Sequence, residues 1–167
     1  MKKDNGFTLI EVLLSLSIVA TLLFFTLPFE SLFYKKNQAQ VIQSDIQSAV
    51  RYAKTHALAI GENVILTPLQ GSTDWSLGML MLVDNAKHSY TSNAQLIHEW
   101  HWKKSGVAVS WRGFQSKHYL LFAADPRQNS VNGSFLIKTG PNYTVKLLLN
   151  KLGRIRIYGN TSQDVES

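Results

Sequence analysis

From Phe7 to Phe29 the chain runs for 23 residues with one charged side chain, Glu11. As a helix rising about 1.5 Å per residue, such a run spans the hydrocarbon core of a bilayer. Lys2 and Lys3 precede it, so the positive-inside rule leaves the N-terminus in the cytoplasm and the remainder outside. A cleaved secretory signal fits poorly, because the run is long for one and no small-x-small site follows it. An ordinary anchor fits poorly too. A carboxylate inside a membrane costs about 2.5–3.5 kcal/mol on insertion scales, so Glu11 needs a partner or a purpose.

Lys2-Lys3-Asp4-Asn5-Gly6 followed by Phe7-Thr8-Leu9-Ile10-Glu11 resembles the class III signal of type IV pilins and type II secretion pseudopilins. The resemblance implies a prepilin peptidase that cuts between Gly6 and Phe7 and methylates the new N-terminal Phe7. It implies that the apolar helix is kept for the filament core, with Glu11 as an assembly residue and Pro28 at the family's helix-kinking position. Once cut, the Phe7 amine could neutralise Glu11 between neighbouring subunits.

Beyond Pro28 the pattern turns one-sided. Ala39, Ile42, Ile46, Ala49, Val50, Ala53 and Ala57 recur at steps of three and four, while Gln38, Gln40, Gln43, Asp45, Gln47, Arg51 and Lys54 take other faces. This is an amphipathic helix, ended near Gly61. Short apolar or alternating runs follow at 63–69, 78–83, 96–102, 107–111, 118–123, 134–138, 143–149 and 154–158, separated by turn formers. The fold class expected is α+β: a long N-terminal transmembrane and amphipathic pilin helix packed on an antiparallel β-sheet head. The divisions are a leader, 1–6, the transmembrane half of the helix, 7–29, its amphipathic half, 30–60, a β-rich head, 61–158, and a polar tail, 159–167.

Charge is uneven. Residues 100–163 hold ten Lys or Arg against one acid, Asp125, a net +9, whereas the rest of the chain carries −3. Arg154 and Arg156, two apart, share one face of a strand, and guanidinium forks suit phosphate oxygens. Lys138, Lys146 and Lys151 add charge nearby in sequence. The bland alternative is a solvated strand edge whose charges discourage aggregation.

The head also resembles a known group. Asp74-Trp75-Ser76-Leu77-Gly78 leading through an apolar run to Asp84 is similar to the W-x-x-G-apolar-D stretch of GspH/FimT proteins. Leu121–Pro126 and Asn132–Phe135 resemble its next strands, and Gly153-Arg154-Ile155-Arg156 resembles the G-R-x-R ending of FimT-type minor pilins. That resemblance implies non-specific binding of double-stranded DNA through Arg154, Arg156, Lys151, Lys146 and Lys138, for uptake in natural transformation. The alternative is a minor pseudopilin of the H type, a structural tip subunit of a type II secretion system. Either implies a single-pass inner-membrane protein with a periplasmic head before assembly, and as partners the prepilin peptidase and other pilins or pseudopilins. After assembly it would sit in a periplasmic or surface filament.

No enzyme is expected. With no cysteine there is no thiolate metal site or cysteine nucleophile. His98-Glu99-Trp100-His101 misses H-E-x-x-H by one residue, and on a strand the two histidines face opposite sides. Neither cofactor nor metal is expected. Trp100 and Trp102 would share a strand face and could stack on bases, but the default for them, as for Trp75 and Trp111, is core.

Overall fold

In the computed structural model the described residues are 8–69, 74–102, 106–140 and 143–159, with the side chains of 25–33 set aside. The expected leader, Gly6, Phe7, the turn at 70–73, the Pro28 side chain and the tail from 160 onward lie outside them. One helix, α1 (Leu9–Ile60), is followed by eight strands: β1 (Val64–Pro68), β2 (Gly78–Val83), β3 (Leu96–His101), β4 (Val107–Gly113), β5 (Leu120–Phe122), β6 (Gly133–Thr139), β7 (Tyr143–Leu149) and β8 (Ile155–Gly159). The chain divides into two units, residues 1–34 and 35–167.

In the first unit α1 opens with a capping box. The Thr8 backbone N–H and hydroxyl donate to Glu11 Oε2 at 2.9 and 3.0 Å, and the Glu11 N–H returns to Thr8 Oγ1 at 3.4 Å. Each partner satisfies a donor that the first turn of a helix leaves open. Ser15 and Thr21 donate to the carbonyls of Glu11 and Ser17, so these hydroxyls are also satisfied within the helix. Leu9, Ile10, Leu13, Leu14, Leu16, Ile18, Leu22 and Phe24 are all exposed, which puts apolar surface on every side of the helix. A helix apolar all round is suited to lipid or to neighbouring helices rather than water. Among the described residues no helix is long and apolar enough to cross a membrane. The described side chains of the apolar run stop at Phe24.

In the second unit the helical stripe expected from the sequence is the spine of the core. Ala39, Ile42, Ile46, Ala49, Val50, Ala53 and Ala57 are each at most 1% exposed, and Gln38, expected on another face, is buried as well. The helix closes at Gly61, whose φ of 76° is left-handed and whose N–H reaches the Ala57 carbonyl at 3.0 Å.

The head forms two four-stranded antiparallel sheets, ordered β3-β2-β1-β5 and β4-β6-β7-β8. Their inner faces meet the helical stripe in one cluster that includes Leu66, Met79 and Met81 from the first sheet and Phe135, Ile137, Val145 and Leu147 from the second. The first sheet is covered on its other face as well. There Ile65, Leu80 and Leu82 pack with Tyr90, Tyr119 and Leu121.

The segment Asp74–Leu77 joins the sheets. The Asp74 carboxylate accepts from the Ser76 N–H at 2.9 Å and starts a 3-10 turn over Trp75–Leu77. The Ser76 hydroxyl accepts from the Val109 N–H of β4 at 2.8 Å. Trp75 turns inward onto Phe135, which also meets Trp111, at centroid distances of 5.3 and 4.6 Å.

Phe135 thus packs both against the joint and against the second sheet's own tryptophan. Phe135→Ala should lower the unfolding free energy by about 3–5 kcal/mol, read as a fall in the urea midpoint at constant slope. A loss below about 1 kcal/mol would show that this ring is not central to the core.

Candidate functional site

Strand alternation divides the second sheet into an inner and an outer face. On β4, Val107, Val109 and Trp111 are buried while Ser110 and Arg112 are exposed. On β6 and β7, Phe135, Ile137, Val145 and Leu147 point inward, which leaves Ser134, Leu136, Lys138, Lys146 and Leu148 on the outer face. The register aligns Arg112 with Ser134, Ser134 with Leu148 and Leu148 with Arg156. A parallel row runs from Ser110 through Leu136 and Lys146 to Tyr158. Beyond the strand ends, Phe114 donates its N–H to Asn132 at 2.8 Å and Asn150 donates to Arg154 at 3.1 Å, which extends the pattern by one more row.

Three of these residues owe their position to identifiable local chemistry. The Trp111 ring lies under Gly113 and Gly133, where an added Cβ would come within 2.6 Å of it, and its Nε1 donates to the Ser116 carbonyl at 2.9 Å. This holds the end of β4 and, with it, Arg112 and Phe114. The β7–β8 turn is built by Asn150, whose Oδ1 accepts from the N–H groups of Leu152 and Arg154 at 3.0 and 2.9 Å. Gly153 supplies the φ of 70° that this turn requires. Asn129, buried, donates to the Lys151 carbonyl at 3.4 Å and accepts from the Ala123 N–H at 2.8 Å, tying the turn to the first sheet's end.

The result is a solvent-open groove of about 700 Å³ whose lining includes Arg112, Phe114, Lys146, Arg154, Arg156 and Tyr158. No acidic side chain is among its described lining residues, and none of the four bases is held in an ion pair among the described residues. Such a surface attracts anions, and its guanidinium forks are shaped for phosphate or carboxylate.

Of the residues singled out from the sequence, Arg154, Arg156 and Lys146 come together here. Lys138 is exposed on the same face one row further along β6, and Lys151 is exposed in the turn; neither lines the groove. Arg112, Phe114 and Tyr158 were not singled out. The alternation Val107-Ala108-Val109-Ser110-Trp111-Arg112 already sends Arg112 outward once Trp111 is taken as core. At the other end Glu11 bonds Thr8, while Gly6, Phe7 and the Pro28 side chain lie outside the described residues.

The tryptophans take core positions. Trp102 is buried just past the end of β3, and Trp100 is partly buried against the core with Tyr52 and His98 around it. His98 packs on Tyr52, whereas His101 turns to Glu99 at 2.8 Å, so the two histidines do not converge.

The prokaryotic N-terminal methylation motif matches residues 1–27. No curated protein sequence matches the chain significantly. Among solved structures, the type IV minor pilin FimU of Pseudomonas aeruginosa is similar in two crystal forms, at 16% identity in both. One superposes with a TM-score of 0.58 over 75% of this chain and 92% of that one, the other with 0.52 over 74% and 91%. The chain therefore joins the N-terminal motif of prepilin-type proteins to the fold of a type IV pilin.

Asp125, the one acid in the basic segment, is already engaged. Arg127 donates Nε and Nη2 to its two oxygens at 2.9–3.1 Å, and the Arg127 N–H adds a bond at 3.0 Å. The guanidinium bonds first, then the backbone bond, hold the Asp125 carboxyl below its ordinary value, and the same pairing raises Arg127. A depressed carboxyl contributes stability that is present above its unfolded value and lost as pH falls through the folded one. NMR titration should find the Asp125 midpoint below that of an ordinary aspartate and moved back up in Arg127→Ala. Equal midpoints in the two proteins would refute the pairing in solution.

Proposed function

We propose that the chain is a prepilin that matures into a minor subunit of a type IV pilus and binds extracellular DNA through the groove on its second sheet. In this reading residues 1–6 are a leader, cut between Gly6 and Phe7, and the apolar half of the helix holds the protein in the inner membrane until assembly. The head then lies outside the cytoplasm, in the periplasm or on the filament surface. The methylation motif over residues 1–27 and the pilin fold support the first half of the reading.

The observation that carries the second half is the convergence of Arg112, Lys146, Arg154 and Arg156 on one concave surface without an opposing acid among its described lining. Contacts of this kind go to phosphates and carry no base information, so binding would be independent of sequence, as uptake in natural transformation requires. Retraction of the filament would then draw bound DNA toward the cell. A second reading, the H-type minor pseudopilin of a type II secretion system, is favoured by one feature. Phe114 is 88% exposed at the groove's rim, as a residue awaiting a protein neighbour would be. Both readings are structural or binding roles rather than catalytic ones.

Two measurements test the proposal. With the 167-residue chain in a non-ionic detergent, unrelated DNA duplexes should bind equally, and Arg154→Ala/Arg156→Ala should bind weakly with a log–log salt slope smaller by about 1.8. Undetectable binding of both duplex and single-stranded DNA at low salt by the folded protein would leave the secretion pseudopilin ahead. Co-expressed with a prepilin peptidase, the chain should appear in mass spectra beginning at Phe7 and carrying one added methyl group. An uncut product would remove the prepilin reading.

A further inference from the structure

The groove is more than a charged patch, because its floor and its rim differ in chemistry. Arg154, just before β8, and Arg156 and Tyr158 on it occupy successive outward positions, spaced by about 7 Å at two residues of extended chain each. Lys146 stands beside Tyr158 in the cross-strand row. On the far side, three strand spacings or about 14 Å away, β4 carries Arg112 with Phe114 just beyond it. Between these walls the outward positions are Asn132, Ser134 and Leu148, which are uncharged. Arg112, Arg154 and Arg156 therefore line the two edges, Lys146 on β7 closes one end of the floor, and the Ser134–Leu148 middle is neutral and partly apolar, with an aromatic ring at each of two diagonal corners. Both rings are available, Phe114 being 88% and Tyr158 52% exposed.

We infer that the groove takes single-stranded nucleic acid in preference to duplex, with consecutive phosphates on Arg154 and Arg156 at β8 and on Lys146 of β7 beside Tyr158, and the bases laid over the floor against Tyr158 and Phe114. The inference rests on the proposed anion-binding role of the same groove and names the form of polymer that it takes. A duplex offers only its phosphate ridge, since its bases are stacked on one another and cannot reach the floor. It would engage one cationic edge and leave the neutral floor and both rings unused. A single strand exposes a flat apolar face with every base, and aromatic side chains interleaved with cations along a groove are the general means of holding such strands. The polar groups of Asn132 and Ser134 can meet base edges of any identity, consistent with a floor that does not select sequence. The spacing of about 7 Å between Arg154 and Arg156 also suits two successive phosphates of an extended single strand.

The test uses the 167-residue chain in non-ionic detergent, with fluorescence anisotropy of labelled oligothymidylate and of a hairpin duplex with the same number of phosphates. Oligothymidylate should bind at least about fivefold more tightly. Phe114→Ala/Tyr158→Ala should abolish that preference while leaving duplex affinity within about twofold, and Phe114→Trp should retain it. Because Phe114 is so exposed, Phe114→Ala alone reads the effect if the double variant loses stability. Arg154→Ala/Arg156→Ala should weaken both ligands. Equal affinity for the two forms, or a preference that survives removal of both rings, would overturn the inference and leave non-specific duplex binding standing. Polyglutamate binding as tightly as oligothymidylate of equal charge would also overturn it, in favour of an acidic protein partner. No binding to either nucleic acid would overturn the inference and the DNA reading together.

Discussion

Everything in the head depends on how the second half of α1 is buried. Its stripe presents alanine at four of seven positions, Ala39, Ala49, Ala53 and Ala57, and these small side chains let two sheets approach one helix closely. Ile42, Ile46 and Val50 fill what remains. With the stripe committed to both sheets, each inner strand face must be apolar, and every alternate residue on the second sheet is forced outward. The groove follows from this constraint. Arg112, Lys146, Leu148 and Arg156 stand together because Trp111, Val145, Leu147 and Leu149 are needed on the other side.

That same logic separates what was legible in the sequence from what was not. The stripe, the helix end at Gly61 and all eight strand regions could be read from periodicity and turn chemistry, because burial imposes periods of 3.6 and 2 directly on residue type. The division of the head into two sheets could not, since strand order arises from pairing between distant segments such as β1 with β5. Ile97 and Trp100 show the limit of alternation. They are three apart yet both pack against the core, because the register of β3 on β2 shifts between Met81 and Leu82, opposite His98 and Leu96. At the site, the spacing of Arg154 and Arg156 was enough to put them on one face. Arg112 lies more than forty residues away by sequence number, and only the register through β6 and β7 brings it into the same row.

Net charge by itself is a poor guide to where an anion would sit. Lys151 belongs to the basic segment and is next to the turn that positions Arg154, yet it stays outside the groove. Arg127 is exposed but shares its charge with Asp125 through a two-pronged bond, so an incoming phosphate would have to displace a partner already in place. The segment's single acid thus offsets a base that is outside the groove and leaves the groove's own cations uncompensated among the described residues. Local pairing, more than the sum over the segment, decides which cations are available.

The N-terminal unit meets a related problem with the opposite sign. A carboxylate in an apolar helix needs donors, and Glu11 finds two within its own first turn, both from Thr8 and both at Oε2. The T-x-x-E pattern at 8–11 is legible in the sequence as a capping box, although the expectation drawn from Glu11 concerned a partner in another subunit. The two roles are compatible in chemistry. A carboxylate has two oxygens, and Oε1 accepts no hydrogen bond among the described residues, so the residue can complete its own helix with one oxygen and receive a cation with the other. On the proposed maturation, the amine released at Phe7 is such a cation. A Gln at 11 could still accept from Thr8 through its one carbonyl oxygen, but it would bring no charge to a neighbour. Capping alone would be satisfied by an amide, so on the proposed maturation what the carboxylate adds is a charge for a neighbouring amine.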